Sequence, residues 1–147
     1  MHNTEKSTLE QLTDIVVWYH NINKEFSDLG KLQNCARKMA TLLFFHATEV
    51  AALYQEKNAA EYMRESKRDR KKSELINAGS SATAADVSAR EFVATYLYEE
   101  QRADSSFQKV KILHESAKDV LNAVQQHVSN LKAERNLELR GGMVQQQ

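Results

Sequence analysis

Proline is absent from this 147-residue sequence, and glycine occurs only four times. A chain of this length carries about seven prolines at average usage, so the sequence has few turns to build and few helices to stop. An all-β sandwich or a doubly wound α/β domain needs many more turns, and neither fold class fits. The length allows one domain or one long supersecondary unit.

Net charge and thiols are also scarce. The 20 Lys and Arg residues balance the 20 Asp and Glu residues, which removes the simplest argument for a generic nucleic-acid binder. Cys35 is the single cysteine. An internal disulfide framework and a multi-cysteine zinc site are therefore both excluded.

The sequence shows neither a targeting signal nor a membrane span. Its longest mainly apolar run, residues 39–47, has about half the length that a spanning helix needs. Residues 1–10 are polar and lack the apolar core of a signal peptide. Since one free cysteine is typical of a reducing compartment, we expect a cytoplasmic protein with no membrane contact.

Hydrophobic periodicity predicts three helices. Ser7 or Thr8 can cap the first helix, and Ser81 or Thr83 can cap the third. Gly30 is the expected exit from the first helix, because glycine adopts the left-handed conformation at helix ends. The predicted helices cover about residues 8–27, 31–78 and 83–138, within one helical domain at 1–140 that is followed by a flexible tail at 141–147.

The third helix carries the strongest periodic signal. Positions seven residues apart are apolar along its whole length, as in a coiled-coil seam. These positions are Ala89, Tyr96, Ala103, Val110, Ala117, Val124 and Leu131. The second helix carries a matching stripe at Leu32, Ala36, Met39, Leu43, His46, Val50, Leu53, Lys57 and Ala60.

Two long helices joined by a short turn predict an antiparallel hairpin. With the turn near Ser80, the numbers of facing residues sum to about 160, which pairs Leu43 with Ala117. The first helix should lie beside the open end, at residues 32–53, because the sequence there is apolar all round at residues 42–45. The predicted fold is all-α: a long, coiled-coil-like antiparallel hairpin with a shorter N-terminal helix packed on its open end.

His46 and His114 both occupy seam positions and should face each other across the hairpin. One interpretation is a metal-binding or pH-sensitive layer, because imidazole ligates metals and titrates near neutrality. The other, which we favour, is a polar layer that fixes the register. A dinuclear carboxylate site needs Glu-x-x-His spacings that the sequence lacks, so we expect no metal and no cofactor.

A basic cluster precedes the predicted turn, at Arg64, Lys67, Arg68, Arg70, Lys71 and Lys72. One interpretation is a nucleic-acid-binding site, in which these side chains contact phosphates while neighbouring tyrosines stack on bases. The alternative, which we favour, is a solvated ion-pair face. The hairpin register places four acidic residues opposite the cluster, where they would neutralise it: Glu91, Glu99, Glu100 and Asp104.

The residues that catalysis would need are missing. Cys35 falls beside the seam, where a small core residue is expected rather than a nucleophile. Gly79 is solitary, and the glycines at 141–142 precede a polar tail, so no glycine-rich phosphate loop is present. A long hairpin also offers no cleft, and we expect no enzyme activity.

An aromatic stretch in the third helix indicates association with another chain. Residues 92–98 span a wider arc than one partner helix can cover, and Tyr62 lies on the opposite helix. Apolar surface left over on a two-helix stalk favours burial in an interface, although tyrosines also tolerate exposure at a rim. We predict a homo-oligomer whose contact includes Tyr62, Phe92, Tyr96 and Tyr98.

Residues 61–138, about half of the chain, combine several features. They comprise Tyr62, the basic cluster that begins at Arg64, and the alanine-rich residues 81–85 at the start of the third predicted helix. Residues 96–100 and residues 128–134 of the same helix complete the set. In these features the segment resembles short helical coiled-coil proteins of tailed bacteriophages. Such proteins are of undefined role and are often encoded beside genes of DNA metabolism, which implies recombination, replication or counter-defence, and a location in the host cytoplasm.

The expected function is therefore that of a non-enzymatic, oligomeric helical binding protein of phage type. Its expected setting is phage DNA metabolism, with single-stranded DNA or a host or phage protein as the partner. Two alternatives stay open. One is an anti-defence inhibitor that sequesters a host protein or a small signal, and the other is a structural component of the virion.

Overall fold

The computed structural model describes residues 6–22 and 25–144. Within these ranges the chain forms four α-helices and no β-strand, which confirms the all-α prediction. The helices are α1 (Thr8–Asn21), α2 (Leu29–Asn77), α3 (Ala82–Phe92) and α4 (Ala94–Val144). In the described residues, no helix is both long enough and apolar enough to cross a bilayer.

Capping residues explain where α1 and α2 begin. Ser7, one of the two residues predicted to cap the first helix, caps α1 and forms a capping box with Glu10. The end of α1 at Asn21 comes six residues before the predicted end. Gly30 is not the exit from α1 but part of the first turn of α2, because the Asp28 carboxylate accepts a hydrogen bond from the Lys31 amide at 3.0 Å and caps that helix.

The turn after α2 lies where the sequence places it. Gly79 has a φ of 98°, in the left-handed region that glycine adopts without strain. The amide of Gly79 donates to the carbonyl of Ile76, and the amide of Ser80 donates to the carbonyl of Leu75, both at 3.0 Å. This pattern is a Schellman motif. Ser81 then caps α3 by accepting a hydrogen bond from the amide of Ala84.

The third predicted helix is interrupted once and extends further than expected. Val93 separates α3 from α4. Helical hydrogen bonds continue on both sides of it: the amide of Val93 donates to the carbonyl of Ala89, and the amide of Leu97 donates to the carbonyl of Val93. The predicted end near residue 138 is wrong, because α4 continues to Val144 through the glycines at 141–142. Residues 145–147 of the predicted tail lie outside the described residues.

The chain divides into two compact units. Unit 1 comprises Met1–Thr48 and Leu113–Gln147, and unit 2 comprises Glu49–Ile112. Unit 1 therefore contains α1 with the first part of α2 and the last part of α4. Unit 2 contains the rest of α2, the turn, α3 and the first part of α4. Each unit pairs α2 with α4 in antiparallel fashion.

Unit 1 has an apolar core between three helices. Leu12 of α1 packs with Leu42, Leu43 and Ala117, which confirms the predicted pairing of Leu43 with Ala117. A second cluster follows along the same helices, formed by Leu32, Cys35, Met39 and Val124. Burial of these side chains against α1 explains why the N-terminal helix docks here.

The expectation that residues 42–45 are buried on all sides is half wrong. Leu42 and Leu43 are buried, but Phe44 and Phe45 are 73% and 58% exposed. Successive residues are about 100° apart on a helix, so the side of α2 that contacts α1 and α4 does not include the two phenylalanines.

Unit 2 is packed through small residues and one large aromatic side chain. Ala85, Ala89, Val93 and Phe107 are its buried residues within the described chain. The ring of Phe107 lies 5.3 Å from that of Tyr54 across the two helices. All seven seam positions of the third predicted helix, in both units, are buried or half-buried, as the heptad pattern predicts.

Candidate functional site

Large apolar side chains remain exposed on unit 2 around the turn end of the helices. Tyr62, Phe92 and Tyr98 are 72%, 50% and 64% exposed, and Met63 and Leu97 are also exposed. We call these five residues the aromatic surface. They come from α2, α3 and α4.

Tyr96 differs from the other predicted contact residues. It is half-buried at a seam position, whereas Phe92 and Tyr98 project outward. The ammonium group of Lys71 lies 5.3 Å from the centre of the Phe92 ring, which is cation–π geometry. Three of the four predicted contact residues are therefore presented at the surface, and the fourth lies at the seam between the helices.

The basic cluster is engaged by acidic residues of the same unit. Arg64 forms a charge-assisted hydrogen bond with Glu100, and both side chains are mostly buried. This contact raises the pKa of Arg64, so the guanidinium is held in its charged form. The pairing of Arg64 with Glu100 is one that the ion-pair interpretation anticipated from the hairpin register.

Asp86 is shared by three cations. Its carboxylate lies 2.9 Å from Arg68, 3.3 Å from Lys72 and 2.9 Å from Arg90. Hydrogen bonds from Arg68 and Lys72 lower the pKa of Asp86 to about 2. Three positive charges around one carboxylate leave this position with an excess of positive charge.

The remaining cations of the cluster are less completely neutralised. Arg70 and Lys71 both approach Glu74, at 3.1 and 4.0 Å. Lys67 forms no salt bridge with any residue in the described ranges. The six cations therefore lie beside fewer acidic partners, and the neutralisation expected from the sequence is partial.

His46 and His114 meet in unit 1 as the register predicts. Their Nδ1 atoms are 3.1 Å apart, and the rings stack with centroids 5.4 Å apart. A neutral imidazole has one N–H group, so one ring donates to the other. No third His, Cys, Asp or Glu among the described residues completes a metal-ligand group with them.

The histidine pair is sensitive to protonation. Burial lowers the pKa of His114, and the neighbouring His46 lowers it further. Protonation of both rings would replace the hydrogen bond between them by repulsion between two cations. The pair therefore suits a neutral layer that sets the register of α2 against α4.

Cys35 lies in the core, where the sequence placed it. It is buried beside Leu32 and Met39, and burial raises the pKa of its thiol. A thiol with a raised pKa is a poor nucleophile near neutral pH. This environment is that of a structural cysteine.

Sequence reasoning missed two features of these surfaces. It did not anticipate the exposed pair Phe44 and Phe45, because apolar periodicity alone does not say which side of an all-apolar turn meets a neighbour. It also did not anticipate the role of Asp86, although the register rule places Lys72 close to it, since their numbers sum to nearly 160. Spacing from the turn could have revealed Asp86, because it lies close to the turn on α3.

Comparison with known proteins identifies no relative of this chain. No protein-family model matches the chain, and no curated protein and no solved structure matches it significantly.

Proposed function

We propose that this protein acts by binding, as a self-associating helical protein whose contact is the aromatic surface of unit 2. The observation that carries the proposal is the exposure of Tyr62, Phe92 and Tyr98. These side chains lie on a unit whose own core contains few large residues. A second copy of the chain is the occupant that we propose for this surface.

The exposed area supports an interface of ordinary size. Phe and Tyr side chains bury about 150–250 Å² each when fully covered. At the observed exposures, Tyr62, Phe92 and Tyr98 together present roughly 400 Å². A stable interface buries about 800 Å² on each partner, so these three side chains would supply its apolar centre, with Met63 and Leu97 beside them.

The charge of unit 2 also permits association with a copy of itself. Residues 49–112 contain 11 acidic and 11 basic side chains, so two such units do not repel each other through net charge. Aromatic side chains are favoured interface anchors because each covers a large area with few rotatable bonds. Polar residues around them would form the rim.

Light scattering coupled to size-exclusion chromatography tests this proposal. We expect the wild type to be oligomeric at micromolar concentration and Phe92→Asp combined with Tyr98→Asp to be monomeric, with an unchanged circular dichroism spectrum. Leu137→Asp combined with Leu139→Asp is the matched control, because these exposed leucines lie in unit 1. A monomeric wild type refutes the proposal, and loss of the oligomer only on substitution of Phe44 and Phe45 refutes the choice of surface.

A second candidate function is contact with nucleic-acid phosphates, which the unequal ratio of cations to acids in the basic cluster favours. Within the cluster, Arg68 and Lys72 share Asp86, Arg70 and Lys71 share Glu74, and Lys67 is unpaired among the described residues. Several copies of such a cluster in one oligomer would bind a strand multivalently. With the resemblance of residues 61–138, this supports a setting in phage DNA metabolism.

Fluorescence anisotropy with a single-stranded oligonucleotide at several salt concentrations tests the second candidate. We expect log K to fall with log salt, and the slope to become shallower by about 0.7 for each lost phosphate contact in Lys67→Gln and Arg70→Gln. Lys109→Gln, an exposed lysine of the same unit outside the cluster, should leave the slope unchanged. Binding that does not respond to salt would contradict phosphate contact.

A further inference from the structure

Unit 1 contains a cleft that hairpin geometry alone does not predict. It lies between α1 and α2 and has a volume of about 830 Å³. Small-molecule sites in proteins have volumes of about 300–1,000 Å³. The cleft exists because α1 leaves α2 uncovered on one side of their contact, and its lining combines an aromatic ring with several ammonium groups.

The apolar part of the cleft comes from both helices. Ile15 and Trp18 lie four and seven residues after Gln11 on one face of α1, and Cys35 of α2 completes this part. The indole ring of Trp18 packs at right angles against Phe26, with centroids 5.8 Å apart. The side chain is 37% exposed and is one of the residues that line the cleft.

The polar part comes from one face of α2. Lys31, Asn34 and Lys38 follow each other at spacings of three and four residues, which brings them to the same side of the helix. Asp28 lies 3.6 Å from the ammonium group of Lys31. Lys38 forms no salt bridge with any described residue, so its charge is not compensated by the protein there.

The charges around the cleft leave a positive excess on the α2 side. On the α1 side Lys6 pairs with Asp14, and the two charges cancel. Arg37, beside Lys38, also forms no salt bridge among the described residues. A ligand that suits this lining has a flat ring to stack on indole and an anionic group to meet Lys38.

We propose that the cleft between α1 and α2 binds a mononucleotide, with the base stacked on Trp18 and the phosphate on Lys38. Base–aromatic stacking tolerates any base because each has a π-face. An ammonium group is a common phosphate partner. Asn34 can donate to and accept from polar atoms of the base or the sugar. This inference does not depend on the self-association of unit 2.

Tryptophan fluorescence gives a local readout, because Trp18 is the one tryptophan in the chain. The test is a titration of the 147-residue protein with ADP, in which free N-acetyltryptophanamide corrects for absorption by the nucleotide. Saturable quenching is the expected result. Adenosine, which lacks phosphate, and pyrophosphate, which lacks the ring, should each bind at least tenfold more weakly, since each keeps one of the two contacts.

Two charge-reversal variants locate the site. Lys38→Glu should raise the dissociation constant for ADP by about tenfold or more, because it removes a charge-assisted contact. Lys132→Glu is the matched control, since this exposed lysine of unit 1 lies on α4 away from the cleft, and it should bind ADP like the wild type. Trp18→Leu, followed by equilibrium dialysis, should also bind ADP more weakly.

The proposal is overturned if ADP causes no saturable quenching in the wild type. It is also overturned if Lys38→Glu, folded by circular dichroism, binds ADP as well as Lys132→Glu does. Equal binding of pyrophosphate and ADP would overturn the assignment of the base to Trp18.

Discussion

Units 1 and 2 contain different stretches of the same two helices, α2 and α4, and hold them together with different interactions. Among the described residues, unit 1 buries nine side chains and unit 2 buries four, two of which are alanines. Unit 2 instead links its helices through Lys57 with Asp104 at 2.9 Å, Arg64 with Glu100, and the cations around Asp86.

These interactions differ in strength. Full burial of one large apolar side chain stabilises a protein by about 1.5–3 kcal/mol. Exposed ion pairs contribute about 0–1 kcal/mol each, and for a partly buried pair such as Arg64 with Glu100 the cost of desolvation offsets part of the attraction. The comparison indicates that unit 2 is the less stable of the two. It is also the unit that exposes the aromatic surface, so association through this surface would add the apolar burial that unit 2 lacks.

The largest expected effect is in the core of unit 1. Met39→Ala removes a side chain that is fully buried between α2 and α4, and we expect it to lower the free energy of unfolding by about 2–5 kcal/mol. Urea denaturation followed by circular dichroism measures this loss. Leu137→Ala, at an exposed position of the same unit, should change stability by less than about 0.5 kcal/mol. A loss below about 1 kcal/mol for Met39→Ala would contradict the proposed core.

Hydrogen exchange compares the units directly. We expect backbone amides of α2 at residues 55–72 to exchange at least about tenfold faster than those at residues 36–46, because fewer buried contacts oppose local opening in unit 2. Raising the protein concentration should slow exchange in unit 2 alone if its aromatic surface is covered by a second copy. Equal protection of the two segments at low concentration would show that the ion pairs compensate for the smaller core.

The histidine pair has a smaller effect with a defined pH dependence. The pKa of His114 in the folded protein lies below its ordinary value of 6.5. The unfolded chain therefore binds more protons as the pH falls below 6.5, and stability should decrease in that direction.

Replacing both His46 and His114 by leucine should remove this dependence and raise stability at pH 7 by about 1–2 kcal/mol, because a packed apolar layer replaces a buried polar one. Thermal denaturation between pH 8 and pH 5 measures both effects. His20→Leu, at an exposed position of α1, should leave the pH dependence intact. Stoichiometric zinc in protein purified without chelator would contradict the register role.

The smallest expected effect concerns Asp86. The pKa of Asp86 is lowered from 3.8 to about 2, so its ion pairs stabilise unit 2 above pH 4 and lose this contribution as the pH falls towards 2. Asp86→Asn should be slightly less stable than the wild type at neutral pH, and the difference should disappear as the pH approaches 2. Glu99→Gln, an exposed acid of unit 2, should show no such convergence in an acid titration monitored by circular dichroism.

Much of the fold could be predicted from the sequence because it depends on regular spacing. Apolar heptads and a single turn glycine suffice to place α2 against α4, and they bring His46 opposite His114. The end of α1 and the interruption at Val93 could not be predicted this way. Both depend on local capping and backbone geometry, which apolar periodicity does not describe.

The candidate sites were predictable in identity but not in environment. Spacing identified the basic cluster and the seam position of Tyr96, yet it could not show that three cations share Asp86. The cleft beside Trp18 was missed altogether, because it depends on how α1 packs across α2. That packing depends on the shapes of the side chains, which the spacing of apolar residues does not describe.

The turn at Gly79 has a consequence for the order in which the chain folds. Arg68 and Asp86 are 18 residues apart in sequence, whereas His46 and His114 are 68 apart. Closing the longer loop costs about 1 kcal/mol more in chain entropy. Contacts near Gly79 should therefore form first and zip outward along the helices. We therefore expect the helix pairing of unit 2, despite its smaller core, to form before that of unit 1 during folding.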